Sequence, residues 1–355
     1  MPTEIRKRYE TLIAPAGPGN PRNGEGAIVA LRDGRLLLAW THFTGGGQDH
    51  AEAEIWARVS RDGGRSWDEP YLLQENIGAC NVMSVGFLRA HTGALLLGFL
   101  VKNHPSEDCH YYVRHSVDEG ETWGEPILAT PEEGYFVVNN DRLLGTPGGR
   151  ILVPAARSVG AHHHALATCF ASGDGGHTWA RCAPYLDLPG DAVGLQEPGL
   201  VACADGSLWM VLRTGRGCIY ASHSLDEGET WSTPEPTSLI APVSPASARR
   251  LPGSDQILIL YNDRRGVPYS AGRDARFQQR TPLAAAVSAD HGRTWRDCGL
   301  LEADLSRSYC YTSIAFHGDE TLLTYYVGTA GGPNLVDMKL AIVRTAAWST
   351  CEGAA

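Results

Sequence analysis

An eight-residue phrase that recurs five times constrains the fold of this chain more than any other feature. Its pattern is SxDxGx[ST]W, and the copies are SRDGGRSW, SVDEGETW, SGDGGHTW, SLDEGETW and SADHGRTW, ending at Trp67, Trp123, Trp179, Trp231 and Trp295. The aspartates of successive copies lie 52 to 64 residues apart, which suits one four-stranded sheet per repeat. The period therefore predicts a repeat architecture in which similar sheets pack side by side.

Each repeat contains the same order of predicted elements. An apolar strand, a glycine turn and a second strand, as in AIVALRDGRLLLAW (27–40), precede a loop, a third strand, the phrase and a fourth strand. In the phrase, aspartate can accept backbone N–H bonds, glycine can adopt a positive φ, and tryptophan can pack against the sheet. We interpret the phrase as a tight turn between the third and fourth strands. A calcium loop is the weaker reading, because the ligand series of an EF-hand is missing.

Repeated phrases of this kind, spread over nearly the whole chain, resemble the Asp-box (BNR) repeats of the sialidase (neuraminidase) superfamily. The resemblance implies an all-β fold, a six-bladed β-propeller with four-stranded antiparallel blades, as a single domain over residues 1–355. The last segment has the strands of a sixth blade but no Asp box. We expect the N-terminal segment to help close the ring, since closure removes exposed strand edges.

Composition and charge limit the classes of partner. The 355 residues carry a formal net charge of -10, which argues against broad binding to nucleic acid or to an anionic membrane. The N-terminus lacks the apolar run of a signal peptide and no stretch reaches membrane-spanning length, so a cytoplasmic protein is expected. Nine scattered cysteines without a CxxC pair predict reduced, buried thiols. The oligomeric state is left open.

Superposing the repeats on the turn between strands one and two locates a candidate site. Eight residues before that turn stand Glu25, Ser84, Asn140, Glu197, Ala246 and Tyr311. Because innermost strands begin at one rim, these positions predict a ring around a central pocket, with Glu25 and Glu197 facing each other. Asn140 is kept as a candidate substrate-binding residue. Solvated polar residues lining a wet channel are the structural alternative.

Arginines near the same rim are candidates for binding an acidic group. Arg213 lies eight residues after the turn of the fourth repeat, where strand two returns to this rim. In the third repeat that position is Ala156, so strand alternation aims the following Arg157 elsewhere unless the strand bulges. Arginines bind planar carboxylates through two parallel bonds. The pattern places Arg213 in the pocket and favours a surface position for Arg157.

The resemblance to sialidases also implies roles for single residues. That family uses a tyrosine nucleophile paired with a glutamate, an aspartate as acid/base catalyst, and three arginines that grip the substrate carboxylate. Tyr311 matches the nucleophile, Glu197 its partner, and Asp49, in the glycine-rich loop FTGGGQDHAEAEI, the acid/base residue. Arg213 and Arg280 match the second and third arginines. The glycine-rich loop can move over the pocket. The resemblance implies no cofactor, and it implies a carbohydrate substrate as the partner.

Two departures from that pattern concern the first arginine. In PRNGEGAIVAL, Arg22 is displaced by about two residues from the expected position, and Glu25 stands near it. We expect Glu25 to repel a sialic-acid carboxylate. The glutamate with which the family steadies this arginine has no obvious counterpart in LLTYYVG. These departures leave the identity of the sugar open.

Histidines and one insertion complete the candidate set. Alternation in AHHHALATCF aims His162 and His164 to one side of a strand and His163 elsewhere, while His50 follows the acid/base candidate and is kept as a substrate-binding residue. A pocket wall or exposed loop is preferred to a zinc or nickel site, because no matching carboxylate spacing is evident. No metal is therefore expected. The polar insertion at 261–281 is a candidate for substrate choice, for contact with another subunit, or for a solvated loop.

These features together predict an exo-glycosidase that removes a terminal acidic sugar, sialic acid or a relative, with retention. Glu197 draws the proton from Tyr311, whose phenol has an ordinary pKa near ~10. Asp49 protonates the leaving oxygen and afterwards activates water. Two alternatives stay open: a sialidase-fold enzyme acting on a different sugar by an inverting or eliminating route, and a non-catalytic carbohydrate-binding propeller.

Overall fold

Strands make up almost all of the regular structure. The computed structural model describes residues 3–160, 163–266 and 279–350. In chain order the strands are β1 (Lys7–Ala14), β2 (Arg22–Ala30), β3 (Leu36–Phe43), β4 (Ala53–Ser60), β5 (Tyr71–Gln74), β6 (Asn81–Arg89), β7 (Leu95–Lys102), β8 (Cys109–Ser116), β9 (Ile127–Leu128), β10 (Tyr135–Val137), β11 (Leu144–Gly145), β12 (Ile151–Val159), β13 (His164–Ser172), β14 (Ala180–Arg181), β15 (Gln196–Ala202), β16 (Leu208–Arg213), β17 (Cys218–Ser224), β18 (Glu235–Ile240), β19 (Ser247–Arg250), β20 (Ile257–Asn262), β21 (Leu283–Ser288), β22 (Arg296–Glu302), β23 (Arg307–His317), β24 (Glu320–Thr329) and β25 (Asp337–Arg344). A short helix, α1 (Ala346–Thr350), follows the last strand. No helix among the described residues is long and apolar enough to cross a membrane.

The strands form the predicted blades. Blades one, four and five are four-stranded antiparallel sheets, β2 to β5, β15 to β18 and β19 to β22. Blades two and three, β6 to β9 and β10 to β14, are joined into a nine-stranded sheet by one parallel bridge between Tyr135 and Cys109. Because β10 and β11 both pair with β12 and together occupy one strand position, the expectation of four-stranded blades holds, with this link between two blades as an addition.

The two ends of the chain meet in the sixth blade. Its order is β1-β25-β24-β23, so the N-terminal strand forms the outer edge of the sheet built by the last three strands. The pairing is antiparallel, with Lys7 opposite Val343 and Ala14 opposite Met338. The innermost strand β23 contacts β2 of blade one. The N-terminal segment therefore completes the sixth blade with the C-terminal strands, in the order expected of a six-bladed β-propeller.

The repeated phrase forms a hydrogen-bonded turn between the third and fourth strands, as predicted. In the fifth copy, Asp290 Oδ1 accepts bonds from Ser288 Oγ and from the Thr294 backbone N, both at 2.8 Å, and Asp290 Oδ2 accepts one from Thr294 Oγ1 at 2.6 Å. Gly292 has a φ of 85°, and a Cβ there would meet the ring of Trp209. Equivalent serine and threonine bonds recur at Asp62, Asp118, Asp174 and Asp226.

Strand register places the boxes and the candidate site on opposite rims. In blade one, Ser60 at the start of the box pairs with Leu36, whereas Ala53, at the other end of the third strand, pairs with Phe43. Phe43 pairs in turn with Arg22, near the predicted ring. We call the first edge the box rim and the second the site rim. The boxes therefore lie away from the pocket, as expected.

On the site rim, the innermost strands share an unusual backbone feature. A register shift interrupts the pairing of β2, β6, β15 and β23, and one residue in each shift has a positive φ. These residues are Glu25 (51°), Ser84 (62°), Glu197 (45°) and Tyr311 (57°). Positive φ is uncommon outside glycine and is held only where the surroundings fix it. The shared bulge turns four different side chains toward the axis.

In two blades the counted position does not carry the shared bulge. In blade three the residue with positive φ is Asp141 (59°), one position after Asn140. Asp141 bonds there to the backbone N of Ile314 and to Arg249. In blade five, Ala246 precedes β19 and has no positive φ. The count of eight residues fails where the strand is irregular, because β10 and β11 are separated by a loop instead of forming one strand.

The cysteines depart from the expected pattern at one residue. Cys298 is disulfide-bonded, so the prediction of reduced thiols throughout is wrong there. The other described cysteines are free. Of these, Cys310 is buried directly beside Tyr311 and bears on the site.

Candidate functional site

A cavity of about 330 Å³ opens on the site rim. Its wall includes five of the predicted site residues, Asp49, Glu197, Arg213, Arg280 and Tyr311. A smaller cavity of about 140 Å³ shares three of these and is lined in addition by Glu25, Ser84 and Lys102. The residues that break the repeat pattern are thus brought together at one end of the propeller.

Tyr311 and Glu197 form the central contact of the larger cavity. The Tyr311 hydroxyl donates a hydrogen bond of 2.9 Å to Glu197 Oε1, from the bulge of β23 to that of β15. Burial and the charge of Glu197 raise the pKa of Tyr311 above its ordinary value. Burial acts to raise the pKa of Glu197 as well, but the charge and hydrogen bond of Arg213 outweigh it and lower that pKa. A neutral phenol therefore lies against an ionised carboxylate that can take its proton.

Two arginines line the same cavity. Arg213 Nη1 donates a 2.7 Å hydrogen bond to Glu197 Oε2, and β15 and β16 pair directly at Gln196 and Arg213. The Arg213 side chain is buried, and its Nε has no hydrogen-bond partner among the described residues. Arg280 Nη1 donates to Cys310 Sγ at 3.2 Å, and the guanidinium carbon of Arg280 lies 5.3 Å from the centre of the Tyr311 ring. The wall can therefore bind an anion next to the phenol.

Asp49 projects from the loop between β3 and β4 and is paired with Arg22. The Arg22 Nη1 to Asp49 Oδ1 distance is 2.5 Å. Partial burial acts to raise the pKa of Asp49, but the charge of Arg22 outweighs it and lowers that pKa below its ordinary value. The Asp49 side chain is 67% exposed, whereas Arg22 is 1% exposed. Asp49 can thus reach a bound molecule, while Arg22 lies beneath it.

Glu25 does not stand in the pocket as an unpaired charge, so the expected direct repulsion of a carboxylate does not follow. Its Oε1 accepts a 2.8 Å bond from Arg22 Nη2, and its Oε2 accepts a 2.5 Å bond from Ser84 Oγ. Burial raises the pKa of Glu25, against the opposing charge of Arg22. Glu25 steadies Arg22 from within the same strand. The resemblance to sialidases led us to look for such a glutamate near LLTYYVG instead.

The glycine-rich loop that carries Asp49 is tethered by buried side chains. The backbone oxygen of Asp49 accepts bonds from Asn81 Nδ2 at 2.9 Å and from Lys102 Nζ at 2.7 Å. Asn81 Nδ2 also bonds to the oxygen of Ala51, and Arg22 Nη1 to that of Gly47. These contacts with blades one and two oppose the predicted movement of the loop over the pocket.

Besides Arg22, three predicted substrate-binding residues lie outside the two cavities. Asn140 is buried and its Nδ2 bonds to the backbone oxygens of Gly26 and Tyr311, which ties blade three to blades one and six. Arg157 donates to Tyr185 Oη at 3.4 Å and to a backbone oxygen at 3.1 Å, and it lines neither cavity. His50 is exposed beside Asp49. Strand alternation predicted a position of Arg157 outside the pocket, and its place in the structure agrees with that prediction.

His163 and His164 have different neighbours, and it is His163 that reaches the cavity. His163, expected to point elsewhere, lines the larger cavity and lies 3.2 Å from Ser158 Oγ through its Nδ1. His164 Nε2 lies 2.6 Å from Asp187 Oδ1. His163 has a φ of 53° and lies in the turn before β13. His162 and residues 267–278 of the insertion lie outside the described residues. Within the part of the chain that the structure describes, no three histidine, cysteine, aspartate or glutamate side chains form a metal-ion cluster.

Several site residues were missed from the sequence. Tyr326 accepts a 2.9 Å bond from Arg22 Nε and packs edge-on against Tyr311, with ring centres 5.9 Å apart. Lys102 and Asn81 hold the Asp49 loop, and Gln196 lines the larger cavity. Tyr326 directly precedes Val327, the residue that lies eight positions after the turn between strands one and two of blade six. A search of neighbouring positions around that count would have found it.

Comparison with known proteins agrees with this fold. The family model of the BNR repeat-like domain matches residues 34–324. An anhydrosialidase of Macrobdella decora is 34% identical over 143 residues, which cover 37% of this chain and 18% of that protein. A sialidase of Paraclostridium sordellii is 24% identical over 237 residues, covering 59% of this chain and 57% of that protein. The chain thus spans less than two thirds of either curated relative.

A solved structure matches over the whole propeller. The intramolecular trans-sialidase of Ruminococcus gnavus, in complex with oseltamivir carboxylate, superposes with a TM-score of 0.74 at 15% identity, covering 96% of this chain and 98% of that one. At this identity the match shows the shared fold. Since the family model covers most of its length, the chain belongs to the BNR repeat-like domain family of the sialidase superfamily.

Proposed function

We propose that this chain is a sialidase-like glycoside hydrolase that removes a terminal acidic sugar with retention through a tyrosine nucleophile. The observation that carries the proposal is the 2.9 Å hydrogen bond from Tyr311 to Glu197 in the wall of an arginine-lined cavity. The two curated relatives, named as an anhydrosialidase and a sialidase, support the same class of reaction.

The first step forms a glycosyl-tyrosine. The Tyr311 oxygen attacks the anomeric carbon, Glu197 takes the phenolic proton, and the bond from that carbon to the leaving oxygen breaks. Asp49 in its acid form gives its proton to the leaving oxygen. Because the raised pKa of Tyr311 keeps the phenol neutral until the base acts, the nucleophile does not repel an anionic sugar.

The second step returns the enzyme to its starting state. Water attacks the same carbon, the Asp49 carboxylate takes a proton from that water, and the bond between the sugar and Tyr311 breaks. Glu197 then returns its proton to the phenolate. Two displacements at one carbon give net retention.

The pH dependence follows from the two carboxyl groups. Catalysis needs Glu197 ionised and Asp49 protonated in the free enzyme, and both pKa values are lowered. The protonated fraction of Asp49 therefore decreases as the pH rises above its depressed pKa. We expect kcat/KM to be highest at acidic pH and to fall toward neutral pH, which a pH series with a fluorogenic substrate measures. A plateau extending to alkaline pH would contradict the role of Asp49.

The direct test is release of a fluorescent aglycone from an aryl α-sialoside. The Tyr311→Phe variant should lose about 10³-fold or more in kcat, because no nucleophile remains. Tyr111→Phe is the matched control, since the Tyr111 hydroxyl is buried and has no hydrogen-bond partner among the described residues. This control should keep wild-type activity. A Tyr311→Phe enzyme within about tenfold of wild type would exclude the tyrosine mechanism.

A second candidate is a sialidase-fold enzyme for a different sugar, by an inverting or eliminating route. The engagement of Arg22 by Glu25 and Asp49 favours it, because the three arginines of the sialidase pattern do not converge on the cavity. A panel of aryl glycosides, with product stereochemistry followed by NMR, separates the candidates. Turnover of another glycoside with inversion or with an unsaturated product would support this second candidate. No turnover of any substrate, with retained sugar binding, would indicate a binding propeller.

A further inference from the structure

Arg22 is surrounded by partners from the protein itself. Its Nε donates to Tyr326 Oη, its Nη2 to Glu25, and its Nη1 to Asp49 and to the oxygen of Gly47. The guanidinium carbon lies 4.2 Å from the centre of the Phe43 ring. At 1% exposure, Arg22 lines neither cavity. Binding of a substrate carboxylate in two parallel bonds would require these contacts to break.

The other two arginines are arranged differently. Arg213 lines the larger cavity, is nine-tenths buried, and has an Nε without a hydrogen-bond partner among the described residues. Arg280 lines the same cavity, where its Nη1 donates to Cys310 Sγ. An incoming carboxylate therefore meets these two guanidinium groups first.

We propose that Arg22 is a positioning residue for Asp49, and that Arg213 and Arg280 bind the acidic group of the substrate without it. The inference rests on the proposed function, since it assigns the substrate-binding cations of the same site. The ligand class is a sugar acid whose carboxylate lies beside the carbon that Tyr311 attacks.

Different contacts fix the path of the Asp49 loop and the orientation of the Asp49 side chain. Asn81 and Lys102 hold the backbone oxygen of Asp49, so the path of the loop does not depend on Arg22 alone. The side chain of Asp49 is largely exposed and is held toward the site by its ion pair with Arg22. Glu25, in turn, fixes Arg22 from the opposite side. The chain of contacts from Glu25 through Arg22 to Asp49 orients the acid/base group.

The test compares three variants in steady-state kinetics over a range of pH. The double variant Arg22→Met with Glu25→Gln removes both buried charges, so that no unpaired carboxylate remains in the interior. We expect its KM to stay within about threefold, its kcat to fall about tenfold, and the alkaline limb of kcat/KM to move to higher pH as the pKa of Asp49 rises. Arg213→Lys and Arg280→Lys should each raise KM about tenfold or more with an unchanged alkaline limb. A raised KM with an unchanged alkaline limb in the double variant, together with a shifted alkaline limb and an unchanged KM in the two lysine variants, would overturn the inference.

Two measurements keep the inference testable without turnover. Calorimetric titration with free N-acetylneuraminic acid should give similar affinities for wild type and the double variant, and weaker binding for Arg213→Lys and Arg280→Lys. Carbon-13 NMR of the aspartate carboxyls, assigned by the signal lost in Asp49→Asn, should show a higher pKa for Asp49 in the double variant. Failure to bind the acid in wild type overturns the assigned binding role of Arg213 and Arg280. An unchanged pKa overturns the role of Arg22.

These readouts also separate the inference from the proposed function. If wild type turns over no glycoside, the proposed function fails, while the Asp49 titration still decides the role of Arg22. If wild type is active and the double variant shows only a raised KM, the inference alone fails. A thermal unfolding curve of each variant, matched to wild type at the assay temperature, excludes a simple loss of fold.

Discussion

The two rims of the propeller differ in which features recur from blade to blade. On the box rim both the backbone turn and the side chains recur: the serine, aspartate and serine or threonine of each copy make equivalent hydrogen bonds. On the site rim only the backbone feature recurs, as a bulged residue of positive φ in blades one, two, four and six. The side chains there are Glu25, Ser84, Glu197 and Tyr311.

This difference distinguishes a repeated feature that serves the fold from one that serves the site. A feature that recurs with its chemistry stabilises each blade that carries it in the same way, so it cannot define one site. A feature that recurs as backbone alone places different groups around one axis, where they meet. The boxes thus account for the fold, and the four bulges account for the meeting of Tyr311 and Glu197. Substitutions on one rim therefore test whether the other rim responds.

The largest effect is expected from removing the base on the site rim. Glu197→Gln keeps the shape of the side chain but removes its charge, so that it no longer accepts the proton of Tyr311. We expect kcat to fall by about 10²- to 10⁴-fold, measured as aglycone release at saturating substrate. An activity within about threefold of wild type would contradict the pairing of these two residues.

A smaller effect, on stability alone, is expected from the box rim. Asp290→Ala removes the acceptor of three hydrogen bonds in the fifth box. The free energy of unfolding should fall by about 1–2 kcal/mol, measured in urea, with kcat/KM within about twofold of wild type. A large loss of activity in a folded variant would show that the boxes act at the site.

Acid should weaken the box rim in a defined pH window. The side-chain and backbone bonds of Ser66 lower the pKa of Asp62 to about 2, against an unfolded value near ~3.9. A depressed folded pKa contributes stability above the unfolded value, and this contribution is lost as the pH falls from about 4 to about 2. The difference in urea midpoint between wild type and Asp62→Asn should therefore shrink over that window. A constant difference would contradict the role of the carboxylate charge.

The smallest effect is expected for an arginine near the site rim but outside the cavities. Arg157 packs on the rings of Phe136 and Tyr185 and lines neither cavity. Arg157→Ala should leave KM and kcat within about twofold of wild type and cost about 0.5–1 kcal/mol of stability. A tenfold rise in KM, measured with the aryl α-sialoside, would place Arg157 among the substrate-binding residues.

The fold and part of the site were predictable from the sequence because the boxes set the register. Counting from the turn between strands one and two correctly placed Glu25, Glu197 and Tyr311 on one rim, since each belongs to a regular innermost strand with one bulge. The same count missed Asp141, because blade three has a loop where the other blades have a continuous strand.

The remaining site contacts depend on which side chains meet across blades. The sequence places Glu25 near Arg22. That position is equally compatible with a Glu25 that repels an acidic substrate and with a Glu25 that pairs with Arg22. Only the structure shows Glu25 bonded to Arg22 and Ser84. Lys102 and Asn81 act on a loop of the neighbouring blade, and no pattern within one repeat indicates such a contact.

The most direct test of the central claim is mass spectrometry of a trapped intermediate. A sialosyl fluoride with a second fluorine beside the anomeric carbon slows the breakdown of a glycosyl-enzyme, since the added fluorine disfavours the positively charged transition state. We expect loss of the anomeric fluoride, a mass increase of one sugar unit, and a modified peptide that carries the sugar on Tyr311. A sugar found on Glu25, Glu197 or Asp49, or turnover of an aryl sialoside with no adduct at all, would contradict it.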